Sequence, residues 1–137
     1  EHTLPMLPED KPRYLMGVGS PVDMLKSIRD GVDMFDSTFP TCNARHNTLF
    51  TFEGKLRIKN SCYKDDMHPI EEGCTCFTCR NHSRAFLHHL LRFKEPTGKK
   101  LATIHNLHFM QELMRRCRIA IEEERFDQLA EDIISKY

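Results

Sequence analysis

Residues 14–36 decide the fold: Tyr14-Leu15-Met16-Gly17-Val18-Gly19, then Ser20-Pro21, then Met24, Leu25 and Ile28, then Asp30-Gly31 and Val32-Asp33-Met34-Phe35-Asp36. The first six read as a short buried strand. Ser followed by Pro is a helix start, with Ser as N-cap and Pro at the first helical position. Met24, Leu25 and Ile28 fall on one helical face, and Asp30-Gly31 stops the helix. Val32 to Asp36 is a second strand, expected to end by Pro40. A strand, a short helix and a strand joined by brief loops make a βαβ unit with parallel strands. Two strands cannot close a sheet, and a (β/α)8 barrel needs roughly 250 residues. The unit is therefore either a small open sheet or the end of something larger.

Two carboxylates lie on the second strand. Asp33 and Asp36 are three residues apart and so point to opposite faces. Asp36 is at the carboxyl end, where parallel α/β folds carry their chemistry. A carboxylate there is a candidate nucleophile or base. It can equally cap the following turn.

Past Thr48 the pattern changes. Leu49-Phe50-Thr51-Phe52 and Leu56-Arg57-Ile58-Lys59 flank Glu53-Gly54-Lys55 and read as an antiparallel hairpin. Residues 60–79 are polar, Cys-rich and irregular. The spacing predicts a helix over 81–93 with Ala85, Phe86, His89, Leu90 and Phe93 on one side. Glu95-Pro96-Thr97-Gly98 reads as a break. A long helix is expected over 106–123, with Leu107, Met110, Leu113, Met114, Cys117 and Ile121 as its stripe, and a last helix over 126–136.

Cys74-Thr75-Cys76-Phe77-Thr78-Cys79 places three thiols within six residues. Such a turn can aim all three sulfurs at one point, as a tetrahedral zinc site requires. Three thiolates that close repel one another unless a cation sits between them. The spacing leaves the fourth ligand open among His82, His88, His89, His105 and His108. His105 has a slight advantage, as a residue expected just before a helix. A closed four-ligand site is structural, because it leaves no position for water. Cys42 and Cys62 are scattered, and Cys117 reads as core.

The 137 residues suit one domain; 39% are apolar and 29% charged, which is ordinary for a globular protein. Lys+Arg and Asp+Glu balance at 20 each, so any nucleic-acid contact must come from a local patch. No run of about 18 apolar residues is present. Glu1-His2-Thr3-Leu4-Pro5 has neither the basic nor the apolar region of a secretory signal. Residues 1–12, with Pro5, Pro8 and Pro12, read as irregular. A cytoplasmic, reducing compartment is expected, where six cysteines point to metal or catalysis before disulfides.

Taken in order, Tyr14-Leu-Met-Gly-Val-Gly19, Gly31-Val-Asp-Met-Phe-Asp36, Pro40-Thr41, the three cysteines at 74, 76 and 79, Ser83-Arg-Ala-Phe-Leu-His88 and His105-Asn106 resemble the tRNA-guanine transglycosylases, or queuine tRNA-ribosyltransferases. The resemblance covers nearly the whole chain. It implies an α/β fold: the late portion of a (β/α)8 barrel (its last strand-helix-strand) with a zinc-binding α+β insertion and carboxyl-terminal helices. The corresponding division is 1–42 barrel end, 43–105 zinc-binding subdomain and 106–137 terminal helices. It implies that Cys74, Cys76, Cys79 and His105 bind one structural Zn2+ per chain and that Asp36 is the nucleophile. Met16 and Gly17 resemble residues that line the base pocket.

The family is a group of pentosyltransferases that exchange guanine at the wobble position of tRNAs with GUN anticodons (those for Asp, Asn, His and Tyr). The incoming group is a 7-deazaguanine base, in queuosine biosynthesis. Members pair into dimers, so a homodimer or a partner subunit is expected here, with no membrane. The family's second, proton-handling carboxylate lies upstream and has no counterpart in these residues, so the isolated chain is expected to be inactive.

Two positions depart from the family. Where it usually has Pro-Thr-Arg after the nucleophile strand, this chain has Cys42, which supplies neither the charge nor the donors of a guanidinium. A glycine usual a few residues later is replaced around His46-Asn47. Arg45 is retained as a tRNA contact, and Lys55, Arg57, Lys59 and Lys64 could add a basic strip. The alternatives are a non-catalytic, zinc-stabilised module for tRNA binding or subunit docking, and a plain zinc-stabilised structural domain.

Overall fold

The computed structural model describes residues 6–137, so part of the segment expected to be irregular, residues 1–5, lies outside the described residues. Strand β1 (Tyr14–Met16) and strand β2 (Met34–Asp36) pair in parallel, with Met16 opposite Asp36. Helix α1 (Pro21–Arg29) connects them and starts as its sequence predicts: the Ser20 hydroxyl accepts the Asp23 amide, and Pro21 opens the helix. Gly31, at φ 95°, turns the chain back toward β2. Among the described residues, β1 and β2 form a sheet of two strands.

Helix α2 (Phe39–Arg45) follows β2 and is absent from the sequence reading. Pro40 was expected only to end the strand. It sits in the first turn of a helix, where its missing N–H costs nothing. The Ser37 hydroxyl accepts the Phe39 amide and begins the turn.

Strands β3 (Thr48–Thr51) and β4 (Gly54–Arg57) form the expected hairpin, with Gly54 inside the second strand rather than in the turn. A short 3-10 turn at Ser61–Tyr63 leads into an irregular stretch, then helix α3 (Phe77–Asn81) and helix α4 (Arg84–Arg92). Ser83 caps α4 by accepting the Phe86 amide. Helix α4 buries Leu87, His88 and Leu91, not the expected Ala85–Phe86–His89–Leu90–Phe93 side; Phe86 and Phe93 are exposed. Helical spacing puts Phe86 and Leu90 beside Leu87 and Leu91 on the apolar side of this segment, with Arg84, His88 and Arg92 opposite. Packing against the hairpin and the next helix turns it so that Leu87, Leu91 and His88 face inward while Phe86 stays exposed.

That next helix, α5, runs Pro96–Glu122, ten residues longer at its start than expected. Pro96 is its first residue, which makes proline a start signal here rather than a break. Gly98 is retained by close packing: a Cβ there would lie 2.9 Å from Leu90 Cβ. Met110, Leu113 and Cys117 of the expected stripe are buried, but Leu107 and Ile121 are largely exposed. His105, Asn106 and Phe109 take the inward places. Helix α6 (Phe126–Ile134) closes the fold slightly short of its expected end.

Two apolar clusters share α5. One gathers Met24, Leu25, Phe50, Phe109, Met110, Leu113, Cys117, Ala130 and Ile133. The other gathers Leu49, Leu56, Ile58, Ile70, Leu87, Leu91, Leu101 and Ala102 with Ala44. The architecture is mixed helix and strand, with the cysteine turn held against α5 between the hairpin and α4.

Candidate functional site

Cys76 is the N-cap of α3: its sulfur accepts the Cys79 amide at 3.3 Å, which folds the CxCxxC run into a tight turn. Thr78, fully buried, donates from its hydroxyl to the Leu101 carbonyl at 2.7 Å and fastens the turn to α5. The three sulfurs and one ring nitrogen of His105 all lie within 4.8 Å of one another. His105 Nδ1 is 3.8 Å from Cys74 Sγ, 3.6 Å from Cys76 Sγ and 3.3 Å from Cys79 Sγ. A tetrahedron with metal–sulfur bonds of about 2.3 Å and a metal–nitrogen bond of about 2.0–2.1 Å has S···N edges of about 3.6 Å.

The ring is also in the correct tautomer. His105 Nε2 lies 2.8 Å from the Phe50 carbonyl oxygen, which only accepts, so Nε2 carries a proton and Nδ1 is the nitrogen left to ligate an ion among the sulfurs. Hydrogen bonds with Cys74 and then Cys79 pull the Cys76 thiol well below its ordinary range. The hydrogen bonds of Cys79 to Cys74 and Cys76 push its own thiol far up. Burial lowers the His105 imidazole, but its contacts with Cys74 and Cys76 outweigh this and leave it raised to about 9. Protons shared in this way are what a dication displaces when it binds. The four residues can hold a metal ion.

The other histidines have different partners. His88 Nδ1 is 2.9 Å from the Ile58 carbonyl, His82 stacks on Phe86, His89 lies against Phe93, and His108 Nε2 is 3.4 Å from Thr75 Oγ1. His105 is not ahead of a helix, as the sequence reading had it, but in the third turn of α5.

Asp36 stands at the carboxyl end of β2, exposed, with Met16 opposite it and the Gly17 amide donating to its carbonyl at 2.9 Å. Its carboxylate accepts the Tyr14 hydroxyl at 2.7 Å. That contact is missing from the sequence reading, although parallel pairing puts Tyr14, Met16, Met34 and Asp36 on one face. The same hydrogen bond raises the Tyr14 phenol above its ordinary value. Asp33, on the opposite face, accepts the Arg13 amide at 2.7 Å. Beside Asp36 lies a cleft of about 180 Å³, lined in part by Val18, Gly19, Phe35, Leu107 and Met110.

Arg45 is exposed in the last turn of α2, and Cys42 lies on the same helix with its sulfur 3.7 Å from His46 Nδ1. Lys55, Arg57 and Lys59 alternate outward along the β4 segment, whereas Lys64 is paired with Asp65 at 3.6 Å. No helix among the described residues is long and apolar enough to cross a membrane.

A family model described as queuine tRNA-ribosyltransferase matches residues 1–137. The queuine tRNA-ribosyltransferases of Helicobacter pylori (strain HPAG1) and Helicobacter acinonychis (strain Sheeba) are each 56% identical over 136 residues, covering 99% of this chain and 37% of those proteins. That of Vibrio vulnificus (strain YJ016) is 50% identical over 136 residues, covering 99% of this chain and 36% of that protein. The chain thus spans little more than a third of the length of these relatives. A match along every residue, at half or more identity, makes this chain a member of the queuine tRNA-ribosyltransferase family.

Proposed function

We propose that this chain supplies the nucleophile, part of the base pocket and a structural zinc centre to a tRNA-guanine transglycosylase. In this reading residues 1–42 are the end of a (β/α)8 barrel, 43–105 a zinc-binding subdomain and 106–137 terminal helices. Family membership supports the activity. The observation that carries the site is the position of Asp36: a carboxylate at the end of a parallel strand, beside a cleft, with Met16 and Gly17 next to it.

Asp36 attacks the ribose C1′ as guanine leaves, through an oxocarbenium-like state. The C1′–N bond breaks and a C1′–O bond to the carboxylate forms. The incoming 7-deazaguanine base then displaces the carboxylate, as in a retaining glycosidase. Tyr14 donates to the carboxylate oxygen and orients it. The family's proton-handling carboxylate has no counterpart among these residues, so the polypeptide of 137 residues alone is expected to show no exchange. Zn2+ is the metal that best suits three thiolates and one imidazole in a closed site. It supplies structure, not a reacting water.

Arg45 contacts the GUN-anticodon tRNA, with Lys55, Arg57 and Lys59 adding charge, and a tRNA substrate implies a cytoplasmic protein. A docking role for the zinc subdomain has one supporting observation: exposed Phe77, with His82 and Phe86 stacked beside it, forms an aromatic surface suited to a second subunit.

The test uses the whole protein containing this chain, a GUN-anticodon tRNA and labelled guanine. Exchange is expected, together with a protein–tRNA adduct that survives denaturation. Asp36→Asn should abolish both. An adduct that persists in Asp36→Asn would overturn the assignment.

A further inference from the structure

The metal centre and the turn after Asp36 are joined by one unbroken run of buried polar contacts. His105 faces the three sulfurs through Nδ1, and its Nε2 donates to the Phe50 carbonyl at 2.8 Å. The amide of the same residue, Phe50, donates to Asn106 Oδ1 at 3.1 Å. Asn106 Nδ2 then donates to the Pro40 carbonyl and to the Thr48 carbonyl, each at 3.0 Å. Asn106 is fully buried. One N–H faces its oxygen and two carbonyls face its nitrogen, which fixes the orientation of the amide. Consecutive residues of α5 thus clamp both polar groups of the Phe50 backbone.

Pro40 lies four residues beyond Asp36. The Phe39 ring stacks on the Phe50 ring, with centroids 5.6 Å apart and planes 8° apart. On the other side, the Ser37 hydroxyl donates to the Gly17 carbonyl at 3.4 Å. Residues 37–40 are therefore held between the parallel strands and Asn106.

We propose that Asn106 is a positioning residue that couples occupancy of the metal centre to the turn that follows Asp36. The inference rests on the zinc reading above. Opening of α2 breaks the Asn106–Pro40 bond and the Phe39–Phe50 stack, and in this coupling the loosened Asn106 and Phe50 free the carbonyl that holds the His105 ring. Opening of α2 and loss of the ion are then one event. Without the side-chain amide, α2 opens while the ion stays bound.

The test is amide hydrogen exchange in buffered free zinc at constant thiol reductant. An opening that expels the ion becomes rarer in proportion to free zinc, so its protection rises about tenfold per tenfold increase in zinc. An opening that keeps the ion ignores zinc. In the wild type, the α2-associated amides of Cys42 and His46 are expected to follow zinc about tenfold per tenfold. In Asn106→Leu, their protection should fall by about tenfold or more and become independent of zinc. The Cys79 amide, in the metal turn, should still follow zinc. A merely structural Asn106 would lower protection but leave the zinc dependence intact.

Zinc-independent α2 amides in the wild type, or an unchanged zinc dependence in the variant, would overturn the proposal. Asn106→Ser serves the same comparison if the leucine variant does not fold. If neither folds with zinc bound, Asn106 is a folding residue and the positioning role is overturned. If no amide responds to zinc, including that of Cys79, the metal reading itself has failed. If Cys79 responds and α2 does not, only the coupling has failed.

Discussion

Replacing Asp66 by Asn tests what orders the irregular stretch ahead of the metal turn. Asp66 Oδ1 accepts the His68 amide at 3.0 Å and the His68 ring at 2.8 Å, and Oδ2 accepts Arg84 Nη1 at 3.0 Å. Arg84 in turn donates to the Ile70 carbonyl at 3.0 Å. The loop is thereby pinned to the start of α4, four residues before Cys74. The His68 amide, followed by its ring, holds the Asp66 carboxyl down at about 2 from an ordinary 3.8, with Arg84 adding to the effect and burial opposing it. A difference of about 1.8 pH units between those two values corresponds to roughly 2 kcal/mol of folding stability. The side chains of Asp66 and Arg84 are only 17% and 25% exposed, so solvent screens their contact little, whereas the exposed His68 ring contributes less than its geometry suggests.

The sign follows from the depressed value. The stabilisation is fully present above pH 3.8 and is lost as pH falls toward 2. Urea unfolding of the zinc-loaded, reduced protein should therefore show Asp66→Asn less stable by about 2 kcal/mol at pH 7. A deficit below about 0.5 kcal/mol, within the range of an ordinary surface substitution, would refute the reasoning.

X-ray absorption at the zinc edge should return three sulfurs at about 2.3 Å and one nitrogen at about 2.0–2.1 Å; a two-sulfur shell or a bound water would contradict the closed site. Gly19→Ala would place a Cβ 2.4 Å from Ser37 Cβ and 2.9 Å from Phe39 Cβ, at the turn after Asp36. It should cost about 1–3 kcal/mol in urea unfolding and weaken the exchange reaction of the whole protein. Wild-type stability together with wild-type exchange would show that the turn yields at no cost.

The parts legible in the sequence are those set by neighbours along the chain. Ser20-Pro21 announces α1, Glu53-Gly54 lies within the hairpin signal, and three cysteines in six residues announce the metal turn. Proline causes two of the misreadings. At Pro40 and Pro96 it opens a helix, yet next to a finished strand or helix it reads as an ending. The phase of α4 is hidden because its apolar side is wide: Phe86, Leu87, Leu90 and Leu91 share it, and packing buries Leu87 and Leu91 while leaving Phe86 exposed. The metal ligand is hidden for another reason. By spacing His105 is one of five histidines, and what singles it out is packing that brings its ring to the three sulfurs and to a carbonyl 55 residues away in sequence, which nothing local records. Asn106 is the same case: as a string it is one more polar residue, and only the hairpin and α2 packed around it give its amide three partners.

The length of α5 has a consequence for sequence change. At 27 residues and about 1.5 Å per residue it is a rod of about 40 Å. Its first half presents His105 to the sulfurs, and its second half presents Phe109, Leu113 and Cys117 to a separate apolar cluster. One residue added or removed between Asn106 and Phe109 would rotate everything beyond it by about 100°. The imidazole and the distal core could then not both face inward. Changes of length are therefore expected to be tolerated in the connecting loops and not in this helix, which keeps two distant assemblies in angular step.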